Sequence, residues 1–262
     1  MGHVVTAKRF GSARTDEGVR PPYNRKLKIE NQKSKLLPMP ILVATGNPHK
    51  LEEIRAVIAE HSEAADAIAL VSLADLPQSI TEPVEDQPTF AGNALKKARH
   101  YAQASGLTCL ADDSGLEVDA LDGRPGVYSA RYAGVTGPRS VVDPVNNRLL
   151  LQNLADVPIA RRSARFVCTM ALVSPAGDIL AQVRGTVEGR ILLPEEGANP
   201  DEPWRGRGHN GFGYDPLFLL PAPRNLTTAE LPPDAKNAIS HRGQATRLIY
   251  PHLCHAAGGI HA

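Results

Sequence analysis

From position 41 onward, short apolar runs alternate with longer amphipathic stretches, whereas the preceding residues show little periodic pattern. Ile41-Leu42-Val43-Ala44 is continuously apolar, which predicts a short buried strand, and Leu51, Ile54 and Ile58 then recur at helical spacing. A second strand is expected over 67–73. Thr89 can cap a helix running to about 104, with Phe90, Ala94, Ala98 and Tyr101 as its apolar face. Thr89, Asn93 and Lys97 recur every four residues on a different face, which a solvated surface explains as readily as a site. The apolar 108–111 segment predicts the next strand. Asp143-Pro144 reads as an N-cap and first-turn proline, opening a helix through Leu149, Leu150 and Leu154. Residues 165–173 are apolar on both alternating faces, as a central strand is. A turn over 175–178 returns 179–186 as its hairpin partner. Residues 195–209 are rich in Gly, Pro and charge, hold the single Trp204, and predict a surface loop ahead of a strand-like 217–219. Ser240 is placed to cap a closing helix with Ala245, Leu248 and Ile249 inward.

Composition narrows the class. At 262 residues the chain suits one large α/β domain or two small ones, and 42% hydrophobic with 22% charged residues is ordinary for a globular protein. A net charge of +1, from 29 basic and 28 acidic residues, gives no global reason to expect a nucleic-acid polymer or a membrane surface as partner. Cys109, Cys168 and Cys254 are too scattered for a disulfide framework or a zinc cluster, and the first two lie in apolar runs, which favours a cytoplasmic location. No apolar run approaches the ~20 residues of a membrane span. Residues 1–40 carry Lys and Arg freely, with Pro21, Pro22 and Pro38 as breakers. They are read as a flexible N-terminal extension, with 41–262 as the folded domain. Met1-Gly2-His3-Val4-Val5-Thr6 fits the loose myristoylation pattern, a match weighted as chance.

Candidate chemistry gathers at a few places. Asp112 and Asp113 follow the 108–111 strand and are expected at its C-terminal edge, where open α/β sheets place ligands. A divalent cation would relieve their repulsion and leave one carboxylate as a general base. An Asx-turn completed by Ser114-Gly115 also accounts for them, and on the dipeptide alone it is the favoured reading, overturned by the other motifs of the chain. Thr45-Gly46-Asn47-Pro48-His49-Lys50 lies between a strand and a helix, where free N–H groups and the helix dipole suit a phosphate, or where an ordinary turn sits. In Gly211-Phe212-Gly213-Tyr214-Asp215-Pro216 the aromatic between two glycines is either a turn anchor or a platform for a planar ligand. Ser240-His241-Arg242-Gly243 puts cations in the first turn of a helix, against its dipole, and an anionic or electron-rich ligand explains them.

These segments, with Thr89, Phe90, Asn93 and Lys97 and with Lys236, run in the order of a known family from about 43 to 248. They closely resemble the noncanonical purine nucleoside triphosphate pyrophosphatases, the inosine and xanthosine triphosphatase family. Tyr128-Ser129-Ala130-Arg131-Tyr132 after a Pro-Gly turn adds to the match. The resemblance implies a homodimeric α/β enzyme, elongated and two-lobed, with a long mixed β-sheet flanked by helices and a central active-site cleft. It implies Mg²⁺-dependent hydrolysis of ITP, dITP and XTP to the monophosphate and pyrophosphate, which cleanses the nucleotide pool. By motif, Asp113 would be general base and metal ligand, and Glu85 the second metal-binding acid. Thr45, Gly46, Asn47, Pro48, His49, Lys50, Lys97 and Ser114 would hold the triphosphate. Phe212, Gly213, Tyr214, Asp215, Lys236, His241 and Arg242 would hold the base. The extension before Ile41 and the 195–209 loop depart from the family pattern.

Chemically, His241 or Arg242 donors facing a 6-oxo purine would reject adenine by leaving groups unpaired. Two rival readings are an aspartate-based phosphatase, which usually carries Asp-x-Asp rather than adjacent acids, and a purine-binding regulator without turnover.

Overall fold

The computed structural model describes residues 39–61 and 68–258, so the N-terminal extension and the Met1–Thr6 pattern lie outside the described residues apart from Met39 and Pro40. The folded unit is an α/β protein built on one mixed six-stranded sheet, in the order β2-β1-β3-β4-β5-β6. Its strands are β1 (Ile41–Val43), β2 (Leu70–Ser72), β3 (Thr108–Val118), β4 (Ser163–Val173), β5 (Ile179–Ile191) and β6 (Phe218–Leu219). β1 pairs in parallel with β2 and β3, while β3, β4, β5 and β6 run antiparallel.

Local chemistry accounts for most helix limits. α1 (Pro48–Ala59) starts at Asn47, whose side chain accepts from His49 N, and has proline in its first turn, where a missing N–H costs nothing. α2 (Phe90–Ser105) is capped by Thr89, which accepts from Gly92 N, and stops at Gly106 with φ 71°. α3 (Arg139–Asn153) begins a turn earlier than Asp143-Pro144 predicts. Val141 N and Val142 N both donate to Pro138 O, so the first turn closes on that carbonyl, and Pro144 lies inside the helix. The Asp143 carboxylate is free for another partner. α4 (Pro233–Ile239) and α5 (His241–Ala256) meet at Ser240, whose hydroxyl accepts from Gly243 N as expected. Leu248, expected inward, is exposed, while Ala245 and Ile249 on the same helix are fully buried.

β3 runs through the segment predicted to turn. Asp112, Asp113, Ser114 and Gly115 are mid-strand, in register with Met170, Thr169, Cys168 and Val167 of β4. The pair therefore does not sit at the end of β3. It sits just beyond the end of β1, whose last partner is Leu110, so the parallel side is open there. Gly115 serves packing rather than a turn: a Cβ would meet Ser129 Oγ and come within 2.8 Å of Gly126 O. β5 likewise continues to Ile191, beyond the predicted 186, because β4 supplies a partner throughout.

The core has separate parts on either side of this junction. Ile41, Val43 and Leu110 pack with Ile54 and Ile58 of α1 and Ile249 of α5, whereas Leu42, Cys109 and Ala111 pack with Ala94, Ala98 and Tyr101 of α2. Farther along, Leu116 and Val118 pack with Leu150 and Leu154 of α3 and Phe218 of β6. Alternation along β3 thus sends Asp112 toward α1 and α5, and Asp113 toward α2.

Candidate active site

A cavity of about 610 Å³ opens where β1 ends, and it gathers nearly every residue singled out in the sequence. Its lining includes Thr45, Gly46, Asn47, Pro48, His49, Lys50, Glu85, Lys97, Asp113, Ser114, Phe212, Gly213, Tyr214, Asp215, Lys236, His241 and Arg242. Asp112 is buried behind this wall.

The adjacent carboxylates have opposite electrostatics because they face opposite sides of the sheet. Asp112 Oδ2 lies 2.9 Å from Lys50 Nζ and 3.4 Å from Arg242 Nη2. Burial alone would raise its pKa, but Lys50, Arg242 and Lys97 outweigh it and hold the carboxyl well below the usual range. Asp113 accepts from Asn93 Nδ2 and from Ser114 N, each at 3.0 Å. Its pKa is raised, first by burial and then by Glu85, against the pull of Lys97 and Lys50. Glu85 takes the Lys97 ammonium at 2.6 Å, with Arg131 Nη1 at 3.4 Å, and these cations overcome burial to lower its pKa. The polar face of α2 is therefore not solvated: Asn93 and Lys97 are buried and hold the two acids.

The 45–50 loop presents donors. Asn47 N is held by Thr45 Oγ1, and Asn47 Nδ2 is buried without a partner. His241 Nδ1 and Arg242 Nε, on residues of the same cavity wall, are also buried and unpartnered. An unmet buried polar atom costs about 1–3 kcal/mol, which a ligand can recover. His241 stacks on Phe166 at 5.0 Å, and burial, with Arg242 and Lys236 adding to it, pushes its pKa well below the ordinary value, so it is neutral at pH 7.

Phe212 is partly exposed and framed by charge. Its own N–H donates to Asp215 Oδ2 at 2.8 Å, and the next amide, Gly213 N, donates to Asp143 Oδ2 at 2.8 Å. Asn147 Nδ2 donates to Gly213 O at 3.1 Å and to Trp204 O at 3.3 Å, tying the 195–209 loop to the same point. Lys236 Nζ, 2.7 Å from Asp215, and the Arg242 guanidinium are joined by Glu53, which accepts from both. Arg242 Nη2 also donates to Ser114 Oγ at 2.8 Å. The Arg242 side chain expected to read the base is thus bound on two sides by protein acceptors.

Glu53, Asp143, Asn147 and Arg139 belong to this site and were not singled out from sequence. Glu53 lies on α1 one turn after His49 and Lys50, a helical position that reads as ordinary surface charge. Only Asp143 had a signal, and it read as a cap. Among the described residues no helix is long and apolar enough to cross a membrane.

The chain is 47% identical over 215 residues to a dITP/XTP pyrophosphatase of Geobacter sulfurreducens, covering 81% of this chain and 96% of the relative. It is 46% identical to that of Exiguobacterium sibiricum, covering 80% and 95%. Among solved structures, a HAM1 protein from Coxiella burnetii matches with TM-score 0.68 and 35% identity, over 83% of this chain and 99% of the other. A nucleoside-triphosphatase, dITP/XTP pyrophosphatase, from Mycobacterium abscessus matches with TM-score 0.60 and 43% identity, over 81% and 100%. The Ham1 family model spans residues 41–252, which is the whole stretch from β1 into α5 that builds the cavity. With the family model matched over that length and relatives at 46–47% identity covering about four-fifths of the chain, the chain belongs to the Ham1 family.

Proposed function

We propose that this Ham1-family hydrolase cleaves the α–β phosphoanhydride of the noncanonical purine nucleotides ITP, dITP and XTP, releasing the monophosphate and pyrophosphate with Mg²⁺ as cofactor. The observation that carries the reading is one cavity lined together by the cations Lys50 and Lys97, by Asp113 with its raised pKa and by the Phe212 ring, against which His49 of the 45–50 loop stacks at 5.9 Å. A triphosphate, a reacting phosphorus and a base need those three kinds of group within one cavity. The names of the relatives support the same substrate class.

Asp113 is the group suited to take a proton from water. Its raised pKa makes it a stronger base than an ordinary carboxylate, and Asn93 and Ser114 N fix its orientation. Lys50, Lys97 and the unpartnered Asn47 Nδ2 belong to residues lining the cavity and are suited to attract the charge of departing pyrophosphate. Glu85 and Asp113 fit a Mg²⁺ ion: both are hard oxygen donors on one cavity, and the charge of Glu85 raises Asp113, a repulsion that a cation relieves. Among the described residues no group of three or more His, Cys, Asp or Glu that could hold a metal ion comes together, so the protein would offer the ion these two carboxylates. When bound, Mg²⁺ neutralises phosphate charge. Phe212 supplies a stacking face for the base.

A nucleotide panel assayed for pyrophosphate and orthophosphate tests the reading. ITP, dITP and XTP should give pyrophosphate, with label from heavy-oxygen water entering the monophosphate alone. Orthophosphate as the primary product, or label in pyrophosphate, would overturn it.

A further inference from the structure

Three cations surround the Phe212 ring, and they differ in what holds them. Lys236 Nζ is 5.2 Å from the ring centroid and the Arg242 guanidinium 5.9 Å. Both side chains are buried and tied to carboxylates, Lys236 to Asp215 and Glu53, Arg242 to Glu53 and Asp112. Arg139, in the first turn of α3, is the nearest, with its guanidinium 4.6 Å above the ring. Its side chain is 42% exposed, and its recorded ion pair is with Asp143 Oδ1 at 3.6 Å, longer than a hydrogen bond. Arg139 lines the cavity, and among the described residues no side-chain hydrogen bond holds its guanidinium.

We infer that Arg139 is a specificity-determining residue that reads the O6 and N7 edge of a purine stacked on Phe212. The placement is built rather than incidental. Asp143, the ion partner of Arg139, also accepts from Gly213 N, and Asn147 one turn further on donates to Gly213 O. One helix therefore sets both the ring's backbone and the cation above it. A guanidinium presents a planar fork of N–H donors that matches the adjacent O6 and N7 acceptors of a 6-oxo purine. Adenine has an amino donor in place of O6 and sets donor against donor. In the free protein the guanidinium covers the ring face, and an exposed cation–π contact is weak enough to yield to an incoming base. Xanthine, hypoxanthine and guanine share the 6-oxo edge, so Arg139 excludes adenine and leaves the 2-amino group of guanine to other walls.

The inference rests on the proposed nucleotide hydrolysis, and its test separates the two. Pyrophosphate release would be measured for wild type and Arg139→Met with ITP, ATP and 7-deaza-ITP, which lacks the N7 acceptor. Arg139→Met should lower the ITP to ATP ratio of kcat/KM by roughly tenfold or more, chiefly through KM for ITP, because a bidentate base contact discriminates by about that factor or above. Loss of N7 should cost the wild type activity and add little to Arg139→Met. The melting temperature should hold, since the side chain is on the surface. Equal losses on ITP and ATP would reduce Arg139 to a general attractor of anions and overturn the assignment, as would an N7 penalty of the same size in both proteins. A wild type that prefers ITP beside an unchanged ratio in Arg139→Met sinks this inference alone, whereas a wild type without preference for ITP sinks the functional reading and this inference with it.

Discussion

A peptide strand turns successive side chains to opposite faces, and at Asp112 and Asp113 that simple geometry separates two roles. Asp112 neutralises Lys50 and the fully buried Arg242, so it is a structural anion. Asp113 faces the cavity with a raised pKa and neutral hydrogen-bond donors, which is why we propose it as the base. Replacing each by Asn should therefore give different phenotypes. Asp113→Asn should lower kcat by about 10²–10⁴, the usual contribution of a general base, with the fold intact because Asn93 can still donate to the new amide oxygen. Asp112→Asn leaves buried cations short of a partner, and breaking such a pair costs about 3–5 kcal/mol, less here to the extent that Glu53 still pairs Arg242. Urea denaturation beside steady-state kinetics checks both. A stable, inactive Asp112→Asn next to an active Asp113→Asn would reverse the assignment.

At the scale of elements, the site depends on how closely α5 lies on β5. Gly185 makes that approach possible: a Cβ there would meet His241 O and come within 2.7 Å of Ala245 N. Gly185→Ala should cost about 1–3 kcal/mol in stability, as overpacking does, and should raise KM for ITP because His241 and Arg242 ride on the displaced turn. A normal KM in a destabilised variant would mean that the helix shifts without moving its first turn. Which elements were legible follows from how local their causes are. Thr89, Gly106 and Ser240 mark helix ends through their own side chains or φ, and these limits are readable from sequence. β3 is not readable in full, since Asp112, Asp113, Ser114 and Gly115 all favour turns and only pairing with β4 overrides them. The start of α3 was misjudged because Asp143 caps nothing and holds Gly213 instead. The 45–50 loop and Phe212 between its two glycines are legible as motifs, and both line the cavity. Glu53, Asn147 and Arg139 were not, because a polar residue on a helix has no local sign that distant chain will meet it.

Taken as a whole, the molecule carries buried carboxylates whose charge acts on stability in opposite directions, and pH separates them. Burial raises the pKa of Glu53, Glu85 and Asp112, but their cations prevail and leave all three lowered from ordinary values of 4.5, 4.5 and 3.8. Each binds a proton more weakly folded than unfolded. Their stabilisation is complete above the ordinary carboxylate range and is lost as pH falls through and below it. Asp113 is raised above 3.8, so the folded protein holds its proton more tightly. Its charge therefore costs stability above the folded pKa, and that cost disappears as pH falls. In metal-free protein at pH 7, Asp113→Asn should melt at or above the wild type, and Asp112→Asn below it. Both differences should shrink on acidification, Asp113→Asn converging first because Asp113 is protonated at the higher pH. Melting temperatures recorded with a chelator present from pH 8 to pH 3 would show this. An Asp113→Asn protein that melted below the wild type at pH 7, with the deficit closing in acid, would mean that the carboxylate is held charged by Lys97 and Lys50, and the case for Asp113 as the base would lose its electrostatic support.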